Sequence, residues 1–284
     1  MLTVFTIPKP FVGYSKIIQR NAIQSWLEFK PDFEIILFGD DEGVTETAHE
    51  FGVKHIPSIE KNEFGTPLLS SAFSSAQKLA KNNILMYANS DVIFFQDLIK
   101  AICRIDKPLF LICGRRWDLD IKEEINFEDD KWTDQLREMV KKEGKLHGIS
   151  GMDYFIFPRN LMNIPAFAVG RPGWDSWLVY DIKNRKIPVI DATEAITVIH
   201  QNHDFSHSKF GEKKMVGGPE WRRNIDLAGG LTNMLTLRDA DWLLGENGLR
   251  RPVFLARIFS ILSLFYLWRV LLSAKRKIQN YLLV

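Results

Sequence analysis

The first half of the chain alternates short apolar runs with amphipathic stretches. Residues 2–7 are apolar and β-rich and stop at Pro8-Lys9-Pro10. A helical pattern follows, with Ile17, Ile18, Ala22, Ile23 and Trp26 on one face. Residues 33–38 (FEIILF) predict a second strand, closed by Gly39-Asp40-Asp41. A short helix over 44–51, a third strand over 53–56, a Ser/Ala-rich helix over 67–82 and a fourth strand over 83–88 (NILMYA) come next. Strand–helix repetition at this spacing predicts a mostly parallel sheet covered by helices on both faces. Ligands on such sheets bind at the carboxyl ends of the strands, here residues 8–11, 39–42 and 89–91.

The second half is less regular. Strands are predicted over 108–113, 154–157, 188–191 and 195–200, and helices over 131–142 and 174–184. Residues 208–219 carry three lysines and three glycines and read as a mobile surface loop.

Composition sets bounds on this picture. The chain has 284 residues, 46% hydrophobic and 25% charged, which excludes a disordered or fibrous protein. A net charge of +2 gives no nucleic-acid signature. The charge is uneven, because residues 250–284 hold seven basic side chains and no acid, leaving 30 basic against 35 acidic residues before them. We therefore expect a large α/β domain over 1–249 and a distinct tail over 250–284. Cys103 and Cys113 match no zinc spacing and read as two buried thiols in a reducing compartment. The start of the chain shows no charged segment followed by a long apolar core, so the bulk of the chain is expected in the cytoplasm.

The sharpest chemical element is Tyr87-Ala88-Asn89-Ser90-Asp91-Val92-Ile93-Phe94, where an apolar strand delivers a polar tip and a second apolar run begins at once. Asn, Ser and Asp are common turn formers. A carboxylate at a strand end is also suited to a hard divalent cation that neutralises a diphosphate. With TIPKPF, FGDDEG, SGMDYFIFPR, GWDSWL and VIHQNHD, this segment resembles the nucleotide-sugar glycosyltransferases of the GT-A fold over roughly residues 1–230. The resemblance implies a GT-A-like, Rossmann-type mixed sheet. TIPKPF then supplies donor-binding residues Thr6, Pro8 and Lys9 at the first strand, and Asp91 is the metal-binding aspartate. Asn89 departs from the Asp-x-Asp pattern and would contact ribose or a metal-bound water. The same resemblance implies a later ligand to the cation, with His200 first and His203 second. Imidazole favours manganese over magnesium, and either ion is a candidate cofactor. Spacing of His200, His203 and His207 also suits zinc, but no clear fourth ligand accompanies them.

Asp175 follows Gly170-Arg171-Pro172-Gly173 at a helix start, where it can cap the helix. By the resemblance it is the base that takes the acceptor hydroxyl proton if the reaction inverts. Asp153, entering a strand from a glycine turn, is its rival. Asp40 and Asp41 are placed at base or ribose, or are solvated. Arg115 or Arg116 can pair with a phosphate, or with Asp118 or Asp120. Lys209, Lys213 and Lys214 can form a lid. Trp174, Trp177 and Trp221 suit sugar stacking or core.

The run 258–268 is too short to span a bilayer. Arg257, Ser260, Ser263, Tyr266, Arg269, Ser273, Arg276 and Asn280 recur at three- or four-residue steps and make one polar stripe on an apolar helix. That pattern suits a helix in the interface of an anionic membrane, or one docked on protein. The expected activity is transfer of a sugar from a nucleotide-diphosphate donor to a hydroxyl acceptor, a lipid-linked or cell-envelope glycan, on the inner face of a membrane. A non-catalytic, membrane-peripheral binding or assembly protein on the same fold is the alternative. A nucleotidyltransferase is disfavoured, since no glycine-rich loop follows the first strand.

Overall fold

The structure is a computed structural model that describes residues 1–30, 33–203 and 216–252. Its first half is built from β1 (Leu2–Thr6), α1 (Gly13–Leu27), β2 (Glu34–Phe38), α2 (Val44–Glu50), β3 (Lys54–Ile56), α3 (Leu69–Leu79) and β4 (Ile84–Ala88). There follow β5 (Val92–Phe94), α4 (Asp97–Ile102), β6 (Leu111–Cys113), β7 (Trp117–Leu119), α5 (Trp132–Glu143), β8 (Lys145–Leu146) and β9 (Tyr154–Pro158). The last elements are α6 (Trp174–Asn184), β10 (Val189–Asp191), β11 (Val198–Gln201), α7 (Pro219–Leu227), β12 (Trp242–Gly245) and β13 (Gly248–Arg250).

A nine-stranded sheet runs in the order β13-β12-β10-β6-β9-β4-β1-β2-β3. β1, β2, β3 and β4 pair in parallel, as do β6, β10 and β12. β9 is antiparallel to both β4 and β6, and β13 to β12. This is the mixed, mostly parallel sheet expected of a GT-A-like fold. The apolar runs are continuous because both faces are covered. Phe5, Ile36, Leu85, Tyr87 and Phe155 pack on one side with α3 and α6, while Val4, Leu37, Met86, Ala88 and Ile156 pack on the other with α1 and α4.

A second sheet, β5-β11-β7-β8, lies at the carboxyl end of β4. With α5 it encloses a smaller core of Ile93, Phe95, Leu119, Trp132, Leu136 and Ile199. β11 pairs antiparallel with β5 and parallel with β7. The sequence after the NSD tip is thus carried straight into this smaller sheet, beside the segment that bears the histidines.

Several elements differ from expectation. The helix predicted over 67–82 covers only Leu69–Leu79, because Leu68 bridges to Ala168 and Pro67 to Lys61, and Ala80 is extended. The strand predicted over 195–200 begins at Val198, since the amides of Ala195 and Ile196 both bond the carbonyl of Ala192 in a turn. Cys103 is exposed, and only Cys113 is buried. Arg250 belongs to β13. Residues 253–284 of the predicted tail and residues 208–215 of the lysine-bearing loop lie outside the described residues, and no described helix is long and apolar enough to cross a membrane.

Candidate active site

A cleft of about 330 Å³, within the range of small-molecule sites, opens where β1, β2 and β4 end. Its walls include Pro8, Lys9, Asp41, Asn89, Asp91 and Arg116, with His200 and His203 beside them. These side chains converge because β11 pairs in register with β5, which places His200 opposite Val92, one residue after Asp91.

The floor is a compact cluster. One donor atom from each of Asp91, His200 and His203 lies within 4.8 Å of the others. His203 Nε2 is 3.1 Å from Asp91 Oδ2, and Lys9 Nζ donates to that same oxygen at 3.2 Å. Asp91 Oδ1 is buried with no hydrogen-bond partner among the described residues; His200 Nδ1 is buried too and lies 3.7 Å from Asp118 Oδ1. Buried polar atoms are rarely left unpartnered, so Asp91 Oδ1 marks a place kept for a ligand. Two imidazoles and a carboxylate at this spacing fit a divalent ion at bond lengths of about 2.0–2.2 Å with little movement. Burial pushes the Asp91 carboxyl up, but Lys9, His203 and His200 outweigh it and hold it well below the usual range. Burial also lowers the His200 imidazole, which favours the neutral ring with one nitrogen lone pair free for a metal.

Behind the cleft wall runs an ionic chain. Asn89 Nδ2 donates to Asp153 Oδ1 at 2.9 Å, and the Arg116 guanidinium bonds Asp153 Oδ2. Arg116 Nε also donates to Asp118 Oδ1 at 3.0 Å, while Asp118 Oδ2 lies 2.6 Å from His147 Nδ1. This accounts for the departure at position 89. An aspartate there would set a second carboxylate against that of Asp153, and the amide replaces the repulsion with a donated hydrogen bond.

Polar side chains of α1 hold the tip in place. Gln19 Oε1 accepts from the Lys9 amide and the Ser90 hydroxyl, both at 2.7 Å, and Gln19 Nε2 donates to the Lys9 carbonyl at 2.9 Å. Gln201 Nε2 donates to the carbonyls of Ile18 (2.7 Å) and Asp91 (3.1 Å), and its Oε1 accepts from Asn21. Trp26 Nε1 bonds the Val92 carbonyl. The backbone of the TIPKPF loop, the NSD tip and the histidine segment is thus fixed from one helix.

Of the residues singled out in the sequence, Pro8, Lys9, Asp41, Asn89, Asp91, His200 and His203 line the cleft together. Thr6 is buried at the end of β1 and its hydroxyl has no partner among the described residues. Asp40 is exposed and paired with Lys61 at 2.7 Å. Arg115 turns away, donating to the carbonyls of His147 and Leu146, and its neighbour Arg116 takes the place on the wall. Asp153 stands behind the wall and is buried. Asp175 heads α6 after Gly173, whose φ of 110° favours glycine. Burial pushes the Asp175 carboxyl up to about 6; the charge of Asp153 adds to this and the backbone N–H groups at the helix start oppose it. Trp174 is core, packed edge-on to Tyr87, and Trp177 packs against Phe167.

Gln19, Gln201 and Arg171 were not singled out in the sequence. Arg171 lines the cleft with both Nε and Nη2 on Glu220 Oε2, at 2.8 and 2.7 Å. Its place in Gly170-Arg171-Pro172-Gly173, beside Asp175, was the only available signal.

No protein-family model matches the chain, and no curated protein does. Solved structures align with part of it. Glucosyl-3-phosphoglycerate synthase of M. tuberculosis aligns at 12% identity and a TM-score of 0.47 over 81% of each chain. A mannosyltransferase from Pyrobaculum calidifontis, solved with GDP-Man and Mn2+, aligns at 13% identity and 0.45 over 72% of this chain and 58% of its own. S. aureus TarS 1-349, solved with UDP-GlcNAc, aligns at 15% identity and 0.33 over 42% of this chain. This chain spans about a third (35%) of that TarS chain.

Proposed function

We propose that the protein transfers a sugar from a nucleotide-diphosphate donor to a hydroxyl acceptor, with a divalent cation, manganese or magnesium, held by Asp91, His200 and His203. The observation that carries this reading is the convergence of those three ligands on a cleft that also presents the cationic side chains of Lys9 and Arg116. When bound, such an ion offsets the charge that builds on a leaving diphosphate. Lys9 and Arg116 add positive charge around the same phosphates. Asp41, which lines the cleft beyond the end of β2, contacts the base or ribose of the donor in this reading. Asp175 is the base in an inverting reaction, and a carboxyl pushed up to about 6 is well matched to take a proton near neutral pH.

The test is a panel of nucleotide sugars, assayed for release of nucleoside diphosphate across pH. Turnover should rise through an apparent pKa near 6 as Asp175 loses its proton. Asp175→Asn should lower the rate by about 10²–10⁴-fold and remove that limb. Its stability should move the other way. The folded carboxyl holds its proton more tightly than the unfolded one, so wild-type stability falls as pH rises from about 4 to 6. The asparagine variant should escape this loss and melt no lower than wild type at pH 7. Unchanged turnover in the variant removes Asp175 from the base role.

The basic composition of 250–284 supports a further part of the proposal: catalysis at an anionic membrane surface on a lipid-linked or cell-envelope glycan. Full-length protein should float with anionic liposomes, and a version ending at residue 252 should not. Equal flotation of the two would end that part.

A further inference from the structure

We propose that Lys9 is a built-in competitor for the cation, and that its ammonium and the ion exchange places between Asp91 and His203. This rests on the cation reading above. Lys9 Nζ lies 3.2 Å from Asp91 Oδ2 and 3.2 Å from His203 Nε2, and those two ligand atoms are 3.1 Å apart. The three form a nearly equilateral triangle. An ion bonded to both ligand atoms at about 2.1 Å lies at most about 4 Å from Nζ, whichever side of the pair it takes. At that distance in a partly buried site, two cations repel strongly. In the tautomer that leaves Nε2 unprotonated, its single lone pair accepts from the Lys9 ammonium and is withheld from a metal.

The exchange needs only a side-chain rotation. Lys9 sits between Pro8 and Pro10, and its backbone is pinned on both sides by Gln19. Its side chain is 27% exposed against 6% for Asp91, so it has room to swing into the cleft while the carboxylate stays. A displaced ammonium then faces the space where the donor diphosphate binds. Arrival of the ion and presentation of Lys9 to the phosphates become one event.

The test uses the full chain and Mn2+ alone, with free ion followed by electron paramagnetic resonance. Lys9→Gln should bind Mn2+ about 10-fold more tightly than wild type, since the fraction of protein with a free ligand pair rises. Lys9→Arg keeps the competing charge and should stay near the wild-type affinity. Asp91→Asn should bind weakly or not at all. Matching thermal melts for the two Lys9 variants would exclude local loosening as the cause. Equal or weaker affinity in Lys9→Gln, with binding still lost in Asp91→Asn, overturns the exchange and leaves the cation site standing. No bound Mn2+ in any of the proteins overturns the cation site itself and the exchange with it.

Discussion

Replacing Asp91 by alanine is expected to cut turnover of the nucleotide sugar by at least ~10³-fold while the protein stays folded. The two effects separate because the side chain and backbone of Asp91 have different partners. Its carboxylate faces the cleft, bonded by Lys9 and adjacent to both histidines. Its backbone carbonyl is held by Gln201, from both the main-chain amide and the side chain. Alanine removes the first set of contacts and keeps the second. Loss of the carboxylate's bonds should cost about 1–3 kcal/mol, well short of unfolding a domain with two large cores. Thermal melts and nucleoside diphosphate release, measured on the same preparation, check both halves. Full turnover in the variant would remove Asp91 from the chemistry.

The largest stability effect is expected at Arg116. Its guanidinium is 18% exposed and bonds two carboxylates, Asp153, which is 6% exposed, and Asp118. Arg116→Met keeps the bulk and removes the charge, leaving the buried Asp153 carboxyl with the Asn89 amide as its remaining side-chain hydrogen bond among the described residues. Breaking a buried pair from one side costs about 3–5 kcal/mol. Urea denaturation should show that loss, and Arg116→Met combined with Asp153→Asn should recover part of it. The coupling between the two sites should lie at about 0.5–3 kcal/mol. Strict additivity would mean that Arg116 and Asp153 do not act as a pair.

Much of the frame could be read from the sequence because β1, β2 and β4 are unbroken apolar runs. Only strands buried on both faces need such runs, and helices on both faces follow. The tip at Asn89–Asp91 was legible for the same reason: polar residues that interrupt two apolar strands must come to a sheet end. What holds the tip was not legible. Gln19, Asn21 and Ser25 are buried on α1, yet they are polar residues on a helix whose apolar stripe alone accounts for its pattern in the sequence. Their role appears only when β5 and β11 are brought beside α1, which is a tertiary fact. Arg115 and Arg116 were confounded for another reason. Neighbours in extended chain turn to opposite sides, so a register of one residue decides which arginine meets the cleft. The short strands β7 and β8 leave no periodicity long enough to supply that register. Histidines 200 and 203 were visible as candidates, but their approach to Asp91 depends on the pairing of β11 with β5.

The most direct test of the cation-assisted donor site is calorimetric titration of UDP and GDP into the full-length protein, with and without Mn2+. The account predicts binding of at least one nucleoside diphosphate that strengthens with Mn2+, and a metal dependence that vanishes in Asp91→Ala. Nucleotide binding of equal strength with and without Mn2+, unchanged in Asp91→Ala, would contradict it.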